Sequence, residues 1–359
     1  MPRLKEQKVP VPEQPAQQDA AGSRITIAAE SRRTSSVDRI ITSLVALQSQ
    51  GLLLILAALF AYMWLRSPYF MTTSNLLVVG GQAGALGIMA MAQTALIISG
   101  GFDVSVGSVL ALSGVTLGIL NEHGWNIWVA AVVAILVGGL VGALNGFIVV
   151  KLHVNALITT LGTLSIFSGL AYIITSGQTL VLDNKSFAFV GTGHILGLPF
   201  ALVLFLIVFV IAMVIERLTR FGRTYYAIGG SLEAARLAGL RVQFTSFSLY
   251  VVSGISAGIA GVLITAQLAA SSPQVGANYN LSVVTAVILG GASLAGGRGS
   301  ARGTLIAVLI LEVLQNGFAL LQLSAFVQTM ALGIALIVAV LLDQTARSFE
   351  RRKAVRPAQ

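Results

Sequence analysis

Two carboxylates stand where a carboxylate is costly. Asp103 lies in "LIISGGFDVSVGSVL" (96–110) and Glu312 in "LILEVLQNGFALL" (309–321), both apolar runs. A lone charge in hydrocarbon costs a few kcal/mol on insertion scales, so intramembrane acids point to function unless a neighbour satisfies them. For Asp103 one reading is an N-cap, its carboxylate accepting the free N–H groups of a following helix after a tight bend at Gly100–Gly101. The other is an ion pair at a moving hinge, with Arg298 or Arg302 as partner. Glu312, with Gln315 and Asn316, makes a polar patch in a span, as a functional acid or as a group bonded to a neighbouring helix. If both acids bind ions, the chain is a gradient-driven secondary transporter. "ALITTLGTLSIFSG" (156–169) adds Thr159, Thr160, Thr163 and Ser165. These hydroxyls either line a path for polyols or bond back to their own helix.

Other chemistries lack their residues. There is no G-x-x-x-x-G-K-[ST] or H-E-x-x-H, and no paired-aspartate motif for metal-dependent prenyl or phosphoryl transfer; the one G-x-S-x-G, at 254–258, lies inside an apolar run and not on the strand-to-helix turn of a nucleophile elbow. With no cysteine there is no disulfide, thiol catalysis or iron–sulfur cluster. A membrane-embedded enzyme is disfavoured, and no cofactor or metal is expected on this chain.

The elements that must carry these residues are read from composition. Of 359 residues, 56% are hydrophobic and 10% charged, too little polar surface for a soluble globule. The reading is an all-α integral membrane protein. Residues 1–45, rich in Pro, Gln, Ala and Ser, read as a disordered basic and polar cytoplasmic tail. Residues 46–343 form the membrane domain, and 344–359 a basic cytoplasmic tail. Apolar runs at 51–66, 75–99, 104–120, 126–150, 156–175, 199–217, 246–268, 281–295, 303–320 and 325–342 give about ten transmembrane helices. With both termini cytoplasmic, seven Lys and Arg in the N-terminal tail and thirteen in later segments fall inside. Only Arg66 and Lys185 fall outside. This strong positive-inside bias supports the topology. It also explains the net charge of +9 without nucleic acid: the basic residues face anionic membrane lipid.

That topology puts Asp103 and the glycine-rich "LGGASLAGGRGSARGTL" (289–305) in hairpins near the cytoplasmic face. The two sites align from Gly100 and Gly296, but lie on one face, so no inverted repeat is read from them. Gly100, Gly101, Asp103, Gly107, Gly296, Gly297 and Arg298 become hinge or gate candidates. The longest cytoplasmic loop, about 218–245, contains a punctuated short helix. Ser231 caps it, Glu233 lies in its first turn and Gly239 ends it. It is a docking surface or an interfacial helix on lipid. The polar loop 176–199 covers a pore mouth, receives a partner or merely connects.

"SGGFDVSVGSVLALSG", "GRTYYAIGGSLEAARLAGL" and "ILGGASLAGGRGSARGTLIAVLILEVLQNGFALL", in that order, resemble the membrane permease of bacterial monosaccharide importers of the ribose type, members of the ATP-binding cassette transporters. The resemblance covers about residues 45–342 and implies a ten-span importer permease in the bacterial inner membrane. It implies a second permease copy, identical or a paralogue, cytoplasmic ATPase subunits that bind ATP and Mg, and a periplasmic or lipid-anchored sugar-binding protein. Ser231, Glu233, Ala234, Ala235 and Gly239 would couple to the ATPase, and Thr159, Thr163 and Asn316 would line the sugar path. Three departures stand out. Phe102 replaces a usual Ile, Asn280-Leu281-Ser282 stands where Glu-Leu-Asp is often found, and Ser168 replaces a common Arg.

Overall fold

The computed structural model describes residues 51–355, with side chains through 341 and at 343 and 344. The N-terminal tail reading therefore lies outside the described residues. Each of the ten apolar runs contains a helix. These are α1 (Gly51–Arg66), α2 (Thr73–Ile98), α3 (Val106–Glu122), α4 (Ile127–Gly146), α5 (Ala156–Thr175), α7 (Phe200–Leu218), α10 (Val242–Leu268), α11 (Tyr279–Leu289), α12 (Ala301–Leu320) and α13 (Ala325–Val355). A π-helical turn, Phe147–Lys151, extends α4. Short α6 (Ala188–Thr192), α8 (Arg220–Gly230) and α9 (Leu232–Leu237) lie between them. Helix α13 continues to Val355, into the stretch read as a C-terminal tail.

Polar residues at the edges of the apolar runs set the helix starts. Thr72, Asn126, Asn155 and Ser300 cap α2, α4, α5 and α12 through their side-chain oxygens. Of the six helices long and apolar enough to cross a membrane, α2 and α10 are the most enclosed and α5 and α7 the most exposed. Helix α10 packs on α4, α3 and α2, and α2 packs on α7 and α12. The α4–α10 contact runs through two small-residue stripes, Gly138–Gly142 and Gly254–Gly258. A methyl group on Gly142 would overlap the Tyr250 carbonyl. Such stripes let helix backbones meet where lipid supplies no hydrophobic drive.

The all-α reading needs one small addition. Loop 176–199 and the segment after α10 carry two antiparallel ladders. β1 (Leu180–Val181) pairs with β4 (Ala270–Ser271), and β2 (His194–Ile195) pairs with β3 (Leu198–Pro199).

Among the described residues, six helices are long and apolar enough to cross a membrane; α1, α3, α11 and the apolar part of α13 are shorter. The run 281–295 does not form a spanning helix. Helix α11 has 11 residues, about 16 Å of rise against a hydrocarbon core of about 30 Å. Ser271 abuts Gly118 near one end of α3, and Gly276 abuts Gly107 near the other. Residues 271–276 thus run alongside α3 before α11 begins. Irregular backbone at membrane depth is tolerated where protein surrounds it.

Candidate functional site

Asp103 lies deeper than the sequence places it. Its hairpin, residues 99–105, folds back along α2, with Gln93 Nε2 donating to the Asp103 carbonyl at 3.0 Å. The Asp103 carboxylate is 1% exposed. Its Oδ1 accepts from Ser105 N at 2.9 Å and Ser105 Oγ at 2.6 Å, and its Oδ2 from Ser253 Oγ at 2.9 Å. Ser105 Oγ in turn accepts from Asn145 Nδ2 at 2.9 Å. Ser253 is eleven residues into α10, about 16 Å from its start. Two corrections follow. Ser105, not Asp103, is the cap residue of α3, although Asp103 does accept the Ser105 N–H beside that start. The expected ion pair with Arg298 or Arg302 is replaced by three hydroxyl and amide donors. Hydrogen bonds to a charged group contribute about 1.5–3 kcal/mol each, the scale needed to offset several kcal/mol of burial cost. The hairpin is also gripped from α10, where Tyr250 Oη donates to the Phe102 carbonyl at 3.4 Å.

Gly107, two residues further on, joins both irregular segments. Its N–H donates to Asn280 Oδ1 in the first turn of α11, and a methyl group there would overlap the Gly276 carbonyl and the Asn280 side chain. Broken helices meeting at membrane depth are the arrangement in which transporters place their gates and binding sites.

The second assembly is at the basic end of the bundle. Ser231 caps α9 by accepting from Ala234 N at 3.3 Å, and Gly239 follows it at φ +73°. Ala235 is buried with Ile228 and Val242, whereas Glu233 and Ala234 are exposed and Leu237 is 85% exposed. One face of α9 is thus anchored and the other is open.

Helix α8, which the sequence reading leaves as loop, links α9 to both glycine-rich hairpins. Thr219 caps it by accepting from Gly222 N at 3.0 Å. Gly222, Tyr225 and Ile228 form its buried face, a helical spacing present in "RFGRTYYAIGG". Tyr225 packs with Leu96, Ile98, Leu249 and Tyr250. Gly229 sits where the Ile98 carbonyl accepts from Gly297 N at 2.8 Å, and a Cβ at Gly229 would overlap both groups. Gly100, at φ +83°, and Gly296, at φ +82°, adopt turns that a side chain would strain. Tyr226 Oη donates to the Gly299 carbonyl at 2.7 Å, and Glu216 Oε2 accepts from Ala301 N at 2.8 Å at the start of α12. Burial, then the Glu216 carboxylate, push the Tyr226 hydroxyl above its ordinary pKa, so it remains a donor. The sequence reading thus missed Gly229, Tyr226 and Glu216.

The residues read as a polyol path lie on two helices, Thr159 and Thr163 on α5 and Asn316 on α12. Thr163 Oγ1 donates to the Thr160 carbonyl of its own helix at 3.3 Å, and Thr159 is buried in α5. Asn316 exchanges two hydrogen bonds with Asn75, at 3.0 and 2.9 Å, tying α12 to α2. Glu312 is buried in the middle of α12.

A bundle of apolar helices, two of them entered through non-helical backbone, with the short helices α8 and α9 packed at one end, fits a multi-pass membrane transport component. The chain belongs to the family described as "Branched-chain amino acid transport system / permease component", whose profile matches residues 75–341. It is 36% identical over 292 residues to the ribose import permease protein RbsC of Haemophilus influenzae, covering 80% of this chain and 90% of that one. It is 36% identical over 301 residues to the L-arabinose transport system permease protein AraH of Escherichia coli, covering 84% and 92%. It is 32% identical over 301 residues to the L-arabinose ABC transporter permease protein AraH of Azospirillum brasilense, covering 84% and 89%.

Proposed function

We propose that this chain is the permease subunit of an ATP-driven importer of a monosaccharide, a pentose such as ribose or arabinose or a related sugar. The observation that carries the reading is its similarity, over four-fifths or more of its length, to permease proteins named for ribose and arabinose transport. The family description names branched-chain amino acids, but these relatives are named for sugars, and a sugar is the substrate class we assign.

In this reading ten segments cross the bacterial inner membrane, both termini are cytoplasmic, and two permease copies form the pore. A sugar-binding protein delivers substrate from outside. A separate ATPase subunit, carrying ATP and Mg, docks on the open face of α9 through Glu233, Ala234 and Leu237, with Ser231 and Gly239 fixing that helix. Ala235 ties α9 to α8. Movement of α8 reaches the 98–101 hairpin and the 296–299 loop together, because Gly229 touches both. Gly100, Gly101, Gly296, Gly297 and Arg298 then act as hinge elements, with Asp103 and Gly107 at the inner ends of the broken helices. ATP binding biases two pore conformations, and the permease converts that bias into gate opening.

The test is gentle solubilisation of the tagged protein from its native membrane and mass spectrometry of what accompanies it. A stoichiometric ATPase, lost on Glu233→Arg or Leu237→Glu, is the expected result. A permease that comes out alone, with sugar uptake abolished by an uncoupler, refutes the ATP-driven reading and favours ion sites at Asp103 and Glu312.

A further inference from the structure

A groove of about 780 Å³ opens at the basic end of the bundle, where α4 ends and α10 begins. It lies beside α9 but apart from the α8 junction. Three cations line it: Lys151 at the end of the π-helical turn, Arg236 in the last turn of α9, and Arg241 at the start of α10. Three phenylalanines line it too: Phe147, one turn before Lys151, and Phe244 and Phe247, one and two turns after Arg241. Among the described residues, no acidic side chain lines it. Lys151 is held over the groove, its Nζ donating to Gln243 Oε1 at 3.4 Å, and all three cations are exposed. Phe147 is 49% and Phe244 is 64% exposed, although both belong to apolar helices.

We propose that this groove is a binding site for an anionic glycerophospholipid. Its phosphate contacts Lys151, Arg236 and Arg241, and the start of its acyl chains lies on Phe147, Phe244 and Phe247. The order of the groups carries the assignment. Cations sit at the ends of two apolar helices, and uncovered aromatic rings sit one to two turns inside them. This matches the order from phosphate to hydrocarbon in a lipid. Juxtamembrane cations attract anionic lipid by about 1 kcal/mol each. A docked protein would match the cations but would leave phenylalanines on the bilayer side uncovered. The inference rests on the reading that this end of the helices lies at a membrane surface.

The test places an indole in the groove with Phe244→Trp, in nanodiscs containing brominated phosphatidylglycerol or brominated phosphatidylcholine. The parent protein, which carries Trp64, Trp125 and Trp128, supplies the background. Stronger quenching by phosphatidylglycerol at equal mole fraction is expected. The preference should fall about fivefold for each of Lys151→Gln, Arg236→Gln and Arg241→Gln. Quenching by brominated phosphatidylcholine should persist in the triple variant, showing that the groove still forms and still meets lipid. Equal quenching by both lipids in the starting variant, or a preference that survives the triple change, overturns the site while leaving the membrane reading intact. Quenching by neither lipid overturns the membrane reading of this end as well. Loss of quenching by both lipids on adding the ATPase subunit would assign the groove to that protein and overturn the proposal.

Discussion

Gly229→Ala is the sharpest test of the coupling geometry. The added Cβ would overlap the Ile98 carbonyl oxygen and the Gly297 amide, both backbone groups, so no side chain can rotate away. Ordinary contact requires the junction to open by about 1.6 Å, moving α8 from one or both hairpins. Overpacking of this kind costs about 1–3 kcal/mol. If the junction loosens during transport, that cost falls on one of the two conformations. It then shifts their ratio by about 5–150-fold. The expected result is a protein that folds, still retains its ATPase in a pull-down, and imports sugar at least tenfold more slowly in vesicles. ATP hydrolysis should lose its dependence on the loaded binding protein. Gly230→Ala is the control, because a Cβ there meets open space. Normal uptake by Gly229→Ala, or equal defects in both variants, would refute the argument that α8 transmits movement through this contact.

Tyr226→Phe removes the 2.7 Å bond to the Gly299 carbonyl; we expect uptake to fall severalfold and stability to fall by about 1 kcal/mol in thermal unfolding. Asp103→Ala strands Ser105 N, Ser105 Oγ and Ser253 Oγ. At about 1–3 kcal/mol for each unsatisfied buried group, the melting temperature should drop sharply, and Asp103→Asn should restore part of it. The double reversal Asp103→Arg with Arg298→Asp should rescue neither uptake nor melting relative to the single changes, since the carboxylate is held by hydroxyls. Asn280→Asp keeps an acceptor for the Gly107 N–H and should retain uptake, whereas Asn280→Ala should lower both uptake and melting temperature.

Helix positions were legible because apolar length and polar caps are local signals. Asn155 and Ser300 mark their helix starts in the sequence itself, and Ser231 and Gly239 bracket α9 as read. Depth was not legible. Gly100–Gly101 announces a turn, but only contacts with Gln93, Asn145 and Ser253, from three other helices, show that the chain after it climbs inward. The run 281–295 reads as one apolar stretch because hydropathy does not register that Gly290 and Gly291 end the helix at Leu289. The partners of Asp103 were missed for a related reason. Opposite charge is visible in a sequence, whereas the Ser253 hydroxyl, 150 residues away, is not. Helix α8 did leave a trace, the spacing of Gly222, Tyr225 and Ile228, but its arginines and paired glycines pull the same stretch toward a loop reading.

The departures from simple helical crossing fall together in space, and that bears on mechanism. A chain required only to span a bilayer does best with continuous helices, which satisfy their own backbone groups. Here two entries into the bundle give that up. The hairpin at 99–105 needs Gln93, Tyr250, Ser253 and Asn145 to satisfy it. The descent before α11 needs Gly276 and Gly107 in backbone contact, with Asn280 closing the joint. One end of the first entry is the Ile98–Gly297 bond under Gly229, and the other end is Gly107. Movement of α8 therefore has a continuous route of backbone contacts to the point where α3 meets α11. Substitutions along that route should impair uptake more than equally buried substitutions in the α4–α10 stripe. Gly107→Ala compared with Gly138→Ala, at matched loss of thermal stability, tests this directly: equal uptake defects would show that the loss follows from packing alone.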